Sequence, residues 1–328
     1  MTDGSRFDPP DAGAGLHEPT RRSLAVPFRR LALLPGRLGW RWNLILLAAT
    51  FLTTTLAGGG FLRAADDPVL GSLLGPVLLL AAPAELLRAG LPYSFSVIAI
   101  LGAHEMGHYL ACRRYAVRST PPFFIPFPMM FGTLGAVIRI RQAVPHRKAL
   151  FDIGIAGPLA GFAVTLLVLV LGLATAEVAP PEPGPIFAAP MALVLLAEVV
   201  GRPVPAGQGL EMNPFLLAAW VGALATAINL FPSGQLDGGH ICYAISRGLH
   251  RFFSRLTLAG MCVLLVYTTL FFGSPVWLAW VVALWFMGHR HPVLVDETER
   301  LSFGRWLLAV VALAVFLLTF TPVPIVSA

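Results

Sequence analysis

The segment "LGAHEMGHYLACRRYAV" contains two histidines, His104 and His108, that are four residues apart. On a helix such side chains lie one turn apart on the same face, so the two imidazoles can ligate one zinc ion. The neighbouring Glu105 can act on a water molecule at that metal. Each ionisable group at the centre of a membrane helix costs about 2.5–3.5 kcal/mol. Three of them together therefore indicate a metal site rather than a solvated helix end.

A catalytic zinc site uses three protein ligands and keeps one position open. The remaining candidates beside apolar segments are Cys112, Asp152, Asp237 and His240. Asp237 lies in "NLFPSGQLDGGH", where Pro and Gly residues break a helix, and unwound backbone at membrane depth is tolerated only inside protein or beside a cavity. Asp152 is interpreted as a cap at a helix N-terminus, and His240 as a residue that supports the turn or faces water. The cysteines, of which the others are Cys242 and Cys262, are interpreted as buried thiols.

The composition identifies the environment of these residues. The chain of 328 residues is 56% hydrophobic and 12% charged, whereas soluble proteins are roughly 25% charged. This excludes a disordered chain, a nucleic-acid-binding module and a soluble globule with an ordinary surface. Apolar runs of about 18 or more residues recur and indicate membrane spans. The fold class is therefore an all-α polytopic membrane protein.

Seven spans are predicted, together with a cytoplasmic tail at 1–42 whose Ser23–Trp40 part suits an interfacial helix on anionic lipid. The spans lie near 43–62, 93–116, 149–175, 213–232, 256–272, 275–289 and 305–322. The predicted domains are the tail, a first span with a re-entrant or interfacial helix (43–90), a core (91–246) and C-terminal spans (247–328).

The segment at 68–87 is apolar enough to cross, but it contains Pro76 and Pro83. If it does not cross, 20 of the 23 basic residues are cytoplasmic and 3 are external. Basic residues accumulate on the cytoplasmic side, so the N-terminus is predicted inside and the C-terminus outside. The predicted location of the chain is a bacterial inner membrane. The Pro-rich loop at 176–212 is then external, and its apolar stretch Ile186–Val200 lies on the membrane.

The segment before the third span predicts a β-strand. Residues Val137, Ile138, Arg139 and Ile140 alternate in polarity with a period of two, within a strand expected at Ala136–Arg141. The preceding Pro residues oppose a helix, and Gly132 and Gly135 permit a turn. A re-entrant β-hairpin here presents an edge that can align an extended substrate. The alternative is a structural loop that dips into the membrane.

Three motifs resemble the site-2 protease family of intramembrane zinc metalloproteases. They are "HEMGH", "KALFDIGIAGPLAG" on the next span and "NLFPSGQLDG" on the span after that. The segment "HPVLVDETERL" resembles the plastid and bacterial branch of that family. The alternative interpretation of this segment is a solvated cytoplasmic loop that contains His291 and Asp296.

The resemblance covers about 91–246 and implies a three-helix zinc protease core. It implies one Zn²⁺ per chain held by His104, His108 and Asp237, with Glu105 as the catalytic base. It also implies that Asn229 holds the substrate or the oxyanion. The resemblance further implies that the substrates are single-span membrane proteins, for example an anti-sigma factor or another membrane-held regulator. The competing hypotheses are a zinc or ion transporter using the same cluster, and an inert relative that acts as a scaffold.

Overall fold

The computed structural model describes residues 40–63, 67–180, 186–205, 208–287, 294–296 and 298–326. The predicted interfacial helix lies, up to residue 39, outside the described residues, and so does His291. Within these ranges the chain is mostly helical. The helices are α1 (Trp40–Arg63), α2 (Pro68–Ala81), α3 (Pro83–Arg114), α4 (Arg147–Thr175), α5 (Met191–Val199), α6 (Pro214–Asn229), α7 (Asp237–Ile245), α8 (Arg247–Phe272), α9 (Leu278–Met287) and α10 (Phe303–Thr319).

Four helices, α1, α3, α4 and α8, are long and apolar enough to cross a membrane. Shorter apolar helices occur in α2, α6 and α10. Helix α9 has ten residues, which corresponds to a length of about 15 Å, half the thickness of a bilayer core. The polytopic helical class is thus supported, whereas the count of seven spans stays a prediction.

The ambiguous segment at 68–87 belongs to two helices. Helix α2 ends at Ala81, Ala82 is non-helical with φ −144°, and α3 begins at Pro83. A residue before proline avoids helical backbone, and proline is favoured in the first turn of a helix. Helix α3 therefore begins ten residues before the predicted span near 93–116.

Helix α3 packs against α1, α4 and α6 and carries the HEMGH segment. Glycine allows these close approaches. A Cβ atom on Gly107 would lie 2.4 Å from the carbonyl oxygen of Ala156, and one on Gly58 would lie 2.0 Å from the ring of Tyr93. Membrane helices use small residues where their backbones approach in this way. As a result, the backbone of α4 lies within reach of the side chains of α3.

An antiparallel strand pair, β1 (Phe123–Pro126) and β2 (Thr133–Val137), connects α3 to α4. The predicted bounds of the strand are wrong, because β2 shares only Ala136 and Val137 with the predicted Ala136–Arg141 and ends at Val137. Opposite the segment after Val137 lie Pro121 and Pro122, which have no N–H to donate and so interrupt the ladder.

Pairing resumes beyond this interruption. The N–H of Thr120 donates to the carbonyl oxygen of Arg139 at 3.0 Å, and the N–H of Arg141 donates to that of Arg118 at 2.8 Å. Ser119 and Ile140 form an isolated bridge. The segment 138–141 is therefore extended and partly paired, although it lies outside β2.

The Pro-rich loop at 176–212 contributes two strand pairs that the sequence did not predict. Strand β3 (Val178–Ala179) pairs with β5 (Gly209–Leu210), and β4 (Ile186–Phe187) pairs with β6 (Ile325–Val326). The apolar stretch predicted at Ile186–Val200 forms β4 and α5.

Candidate metal centre

His104 and His108 project from the same face of α3, and both are buried. Their Nε2 atoms lie 3.1 Å apart. The two rings are steeply inclined, with their centroids 4.8 Å apart and an interplanar angle of 71°. The one-turn spacing therefore brings the two imidazoles together as the sequence predicted.

Asp237 reaches both imidazoles from a distant part of the chain. Its Oδ2 lies 3.1 Å from Nε2 of His104 and 3.3 Å from Nε2 of His108. It is the first residue of α7, which follows a turn after α6 ends at Asn229. The predicted helix break is present in this turn, where Gly234 has φ +55°.

Helix α8 supplies the polar partners that this turn needs. Nε2 of His250 donates to the carbonyl oxygen of Gly234 at 2.9 Å, and the N–H of Gly234 donates to Oγ of Ser254 at 3.3 Å. Unwound backbone in a membrane protein must find such partners within the protein. Sequence reasoning missed both residues, although two polar side chains four apart at the start of an apolar helix are the signal that would have found them.

The three donor atoms fit a tetrahedral zinc ion. Zinc bonds of about 2.0–2.1 Å at tetrahedral angles place neighbouring ligand atoms about 3.3–3.4 Å apart. The separations of 3.1, 3.1 and 3.3 Å among the two Nε2 atoms and Oδ2 are close to this value. Two neutral imidazoles and one carboxylate also form a donor set that suits zinc.

The orientation of His108 is set by a backbone carbonyl. Its Nδ1 lies 2.7 Å from the carbonyl oxygen of Ile153 on α4. Because the carbonyl can only accept, Nδ1 carries the proton and Nε2 presents its lone pair towards His104 and Asp237. A partner of this kind fixes the tautomer and the ring direction of a metal-ligating histidine.

Glycines on α4 make room for both histidines. A Cβ atom on Gly157 would lie 2.1 Å from Nε2 of His108, and one on Gly161 would lie 3.0 Å from Cβ of His104. The segment "FDIGIAGPLAG" thus has a steric role beside the site. Small residues spaced at i and i+4 on one helix face are the sequence signal for it.

Glu105 is also buried, and its potential ligand atom lies within 4.8 Å of those of His104 and His108. The backbone N–H of Ile138 donates a hydrogen bond to its carboxylate. The carbonyl of Arg139 and the N–H of Arg141 face the paired segment, so the alternation along an antiparallel strand turns the N–H of Ile138 to the opposite side. The strand segment and the HEMGH helix therefore meet at Glu105.

The other predicted site residues occupy different positions. Asn229 is the last residue of α6 and is half-buried, and within the described part of the chain its amide forms no hydrogen bond. His240 lies one turn after Asp237, and a Cβ atom on Gly154 would lie 3.0 Å from its own Cβ. His240 therefore packs against α4.

The interpretation of Asp152 as a helix cap is wrong. His146 is the N-cap of α4, and its Nδ1 accepts a hydrogen bond from the N–H of Ala149 at 3.2 Å. Asp152 lies in the second turn and pairs with Arg305 of α10. The cap position is thus already filled, and a long-range ion pair explains the carboxylate.

The donor set of this centre is that of zinc peptidases in which an HExxH helix supplies two ligands. The family model described as peptidase family M50 matches residues 92–272. The chain belongs to this family.

Curated relatives carry corresponding names. The chain is 33% identical over 254 residues to "Probable zinc metalloprotease EGY2, chloroplastic" of Arabidopsis thaliana, covering 73% of this chain and 43% of the relative. It is 32% identical over 250 residues to "Probable zinc metalloprotease EGY1, chloroplastic" of Oryza sativa subsp. japonica, covering 73% and 41%. The chain thus spans less than half the length of these relatives. Their names confirm the resemblance to the plastid branch.

Proposed function

We propose that this chain is a zinc metalloprotease that hydrolyses a peptide bond within or near the transmembrane segment of single-span membrane proteins. The observation that carries the proposal is the convergence of two Nε2 atoms and one Oδ2 atom at 3.1–3.3 Å, next to a buried glutamate. Membership of peptidase family M50 supports the same conclusion.

His104, His108 and Asp237 are the proposed ligands of one Zn²⁺ ion. When bound, zinc supplies a Lewis acid that lowers the pKa of water towards about 7 and polarises a peptide carbonyl. The Ile153 carbonyl keeps His108 in the tautomer that ligation requires. Burial of the two histidine side chains, and the low exposure of 13% for the Asp237 side chain, limit their motion and keep bulk water away from them.

Glu105 acts as the general base and then as the general acid. Its carboxylate takes a proton from the attacking water and returns it to the leaving amine. The Ile138 N–H holds the carboxylate in place during both transfers. The uncommitted amide of Asn229 is available to hold the substrate or to stabilise the oxyanion.

The substrate must be extended at the scissile bond, because a helix engages its carbonyls in its own hydrogen bonds. Strand β2 and the extended residues up to Ile140 belong to a two-stranded pair, so one edge of this segment is open to a further strand. Such an edge can align an unwound peptide by main-chain pairing. Since Ile138 contacts Glu105, a peptide on this edge lies near the catalytic carboxylate.

The proposed location is a membrane with the N-terminus on the cytoplasmic side, as in a bacterial inner membrane. The asymmetry of basic residues supports this orientation. The β1–β2 pair is then a re-entrant hairpin on the cytoplasmic side. Anionic lipid and single-span regulators, for example an anti-sigma factor, are the proposed partners.

The test is a comparison of Glu105→Gln with Glu198→Gln. Glu198 is exposed on α5 and away from the centre, so its variant controls for the loss of a carboxylate. Quantitative membrane proteomics is expected to show single-span fragments accumulating only in the Glu105→Gln strain. Both purified variants are expected to retain zinc. Retained cleavage by a zinc-loaded Glu105→Gln protein would refute the hydrolytic role.

The same pair of variants separates the protease from a zinc transporter. A transporter needs the metal ligands but no general base. If the chain were a transporter, the Glu105→Gln protein would therefore take up zinc into vesicles normally, and neither the Glu105→Gln nor the Glu198→Gln protein would show cleavage. Family membership favours the protease.

A further inference from the structure

A segment near the C-terminus runs along the residues that lead into α4. We call residues 294–296 and 298–305 the C-terminal strap. The N–H groups of Val295 and Asp296 donate to the carbonyl oxygens of Val144 and Pro145, at 3.4 and 2.9 Å. The strap belongs to the segment "HPVLVDETERL" and its continuation, for which the proposed reaction has no role.

Side chains reinforce this backbone contact. Leu294 is buried in a cluster with Leu150 and Phe151 of α4. The carboxylate of Glu299 forms an ion pair with Lys148 at 3.5 Å. The strap therefore adheres to the first turn of α4 through apolar, ionic and main-chain contacts.

The strap ends at Arg305, whose guanidinium group forms a bidentate ion pair with the carboxylate of Asp152. Nε donates to Oδ1 at 2.8 Å and Nη2 donates to Oδ2 at 2.7 Å. Nη2 also donates to the hydroxyl of Tyr115 at 3.1 Å, and that hydroxyl donates to Asp152. Burial and the hydrogen bond to Asp152 raise the pKa of Tyr115, so the hydroxyl keeps its proton. Three side chains from three parts of the chain thus form one polar clamp.

This clamp lies next to the hydrogen bond that orients His108. Asp152 directly precedes Ile153, whose carbonyl oxygen accepts from Nδ1 of His108. Tyr115 follows the end of α3, two turns after His108. The clamp therefore joins α3 and α4 at the point where the direction of the His108 ring is determined.

We propose that the C-terminal strap is a positioning element of the metal centre, acting through Arg305 and Asp152 on the Ile153 carbonyl and hence on His108. The inference rests on the proposed zinc site. Partners of a ligating histidine are worth about 10–100-fold in metal affinity. Arg305 acts one residue further away, so its loss is expected to weaken zinc binding about tenfold, the lower end of that range.

The experiment compares Arg305→Met with Arg300→Met in the full chain. Arg300 lies in the strap and is exposed, and no pairing of its side chain is found in the described part of the structure, so it is a matched control. Zinc affinity is measured by competition with a chelator, the geometry of the site by the visible spectrum of the cobalt-substituted protein, and folding by thermal melting. We expect weaker zinc binding and an altered cobalt spectrum for Arg305→Met alone.

Two further variants keep the test valid if Arg305→Met does not fold. Arg305→Lys keeps the charge but not the two-pronged contact, and we expect its zinc affinity to fall between those of Arg305→Met and the unaltered protein. Asp152→Asn weakens the clamp from the other side. Because both residues act through one contact, the double variant Asp152→Asn/Arg305→Lys is expected to lose less than the sum of the single losses.

Several outcomes would overturn the inference. Unchanged zinc affinity in the folded Arg305 variants, even with a lower melting temperature, would make the strap a simple anchor for α10. An equal loss of zinc affinity in Arg300→Met would show that the effect is not specific to Arg305. If the unaltered protein bound no zinc, the proposed function would fail and the inference with it, whereas unchanged binding in the variants alone would refute only the inference.

Discussion

The substitution Gly157→Ala tests the close contact between α4 and the metal centre. The added Cβ would lie 2.1 Å from Nε2 of His108, and also 2.4 Å from Cε1 of that ring. Real Cβ atoms essentially never approach another atom more closely than 3.0 Å, so the imidazole must move by about 0.9 Å or more. Zinc–ligand distances tolerate changes of only about 0.2 Å. Gly157→Ala is therefore expected to force His108 away from its ligating position.

The size of the effect follows from the strain. Overpacking a packed interior costs about 1–3 kcal/mol. Because this strain is relieved when His108 moves away from the metal, it opposes zinc binding directly and corresponds to about a 5- to 150-fold loss of affinity. Cleavage is expected to fall in parallel when zinc is limiting.

The assay is zinc affinity by chelator competition, with Gly260→Ala as the control. Gly260 lies in α8, where an added Cβ would have no atom within 4 Å, so the control makes the same change on a helix without a clash. Gly260→Ala is expected to bind zinc as the unaltered protein does. If Gly157→Ala also bound zinc with unaltered affinity, the close approach of α4 to His108 would be refuted.

Three further predictions address the third ligand, the strand segment and the orientation. Asp237→Ala is expected to lose zinc on metal analysis, and full occupancy would remove Asp237 from the ligand set. Ile138→Pro removes the N–H that reaches Glu105, so cleavage of natural substrates should fall more than cleavage of substrates already weakened by a helix-breaking residue, while zinc remains bound. A normal cleavage rate with zinc present would make the segment a structural loop. Cysteines placed at positions 140 and 185 are expected to be labelled from outside only at 185, and the reverse pattern would show that the span count is wrong.

The strand segment shows which features a local sequence pattern can predict and which it cannot. Alternating polarity predicted an extended conformation around Val137 and Ile138, because the two-residue period belongs to the strand itself. The end of β2 was not predictable in the same way. It depends on the partner segment, where Pro121 and Pro122 present no N–H to continue the ladder.

The proximity of His104, Glu105 and His108 was determined by the sequence alone, because a helix turn of 3.6 residues places residues i and i+4 on one face in any context. The helical membrane class was equally determined, since long apolar runs have few other solutions. Of the candidate third ligands the sequence motifs favoured Asp237 over Asp152, but only the tertiary structure showed that Asp237 reaches both histidines and that Asp152 pairs with Arg305. Asp237 lies 133 residues from His104 in sequence and Asp152 lies 153 residues from Arg305. Contacts over such separations depend on how helices cross, and glycines such as Gly157 allow α4 to approach the histidines of α3 closely.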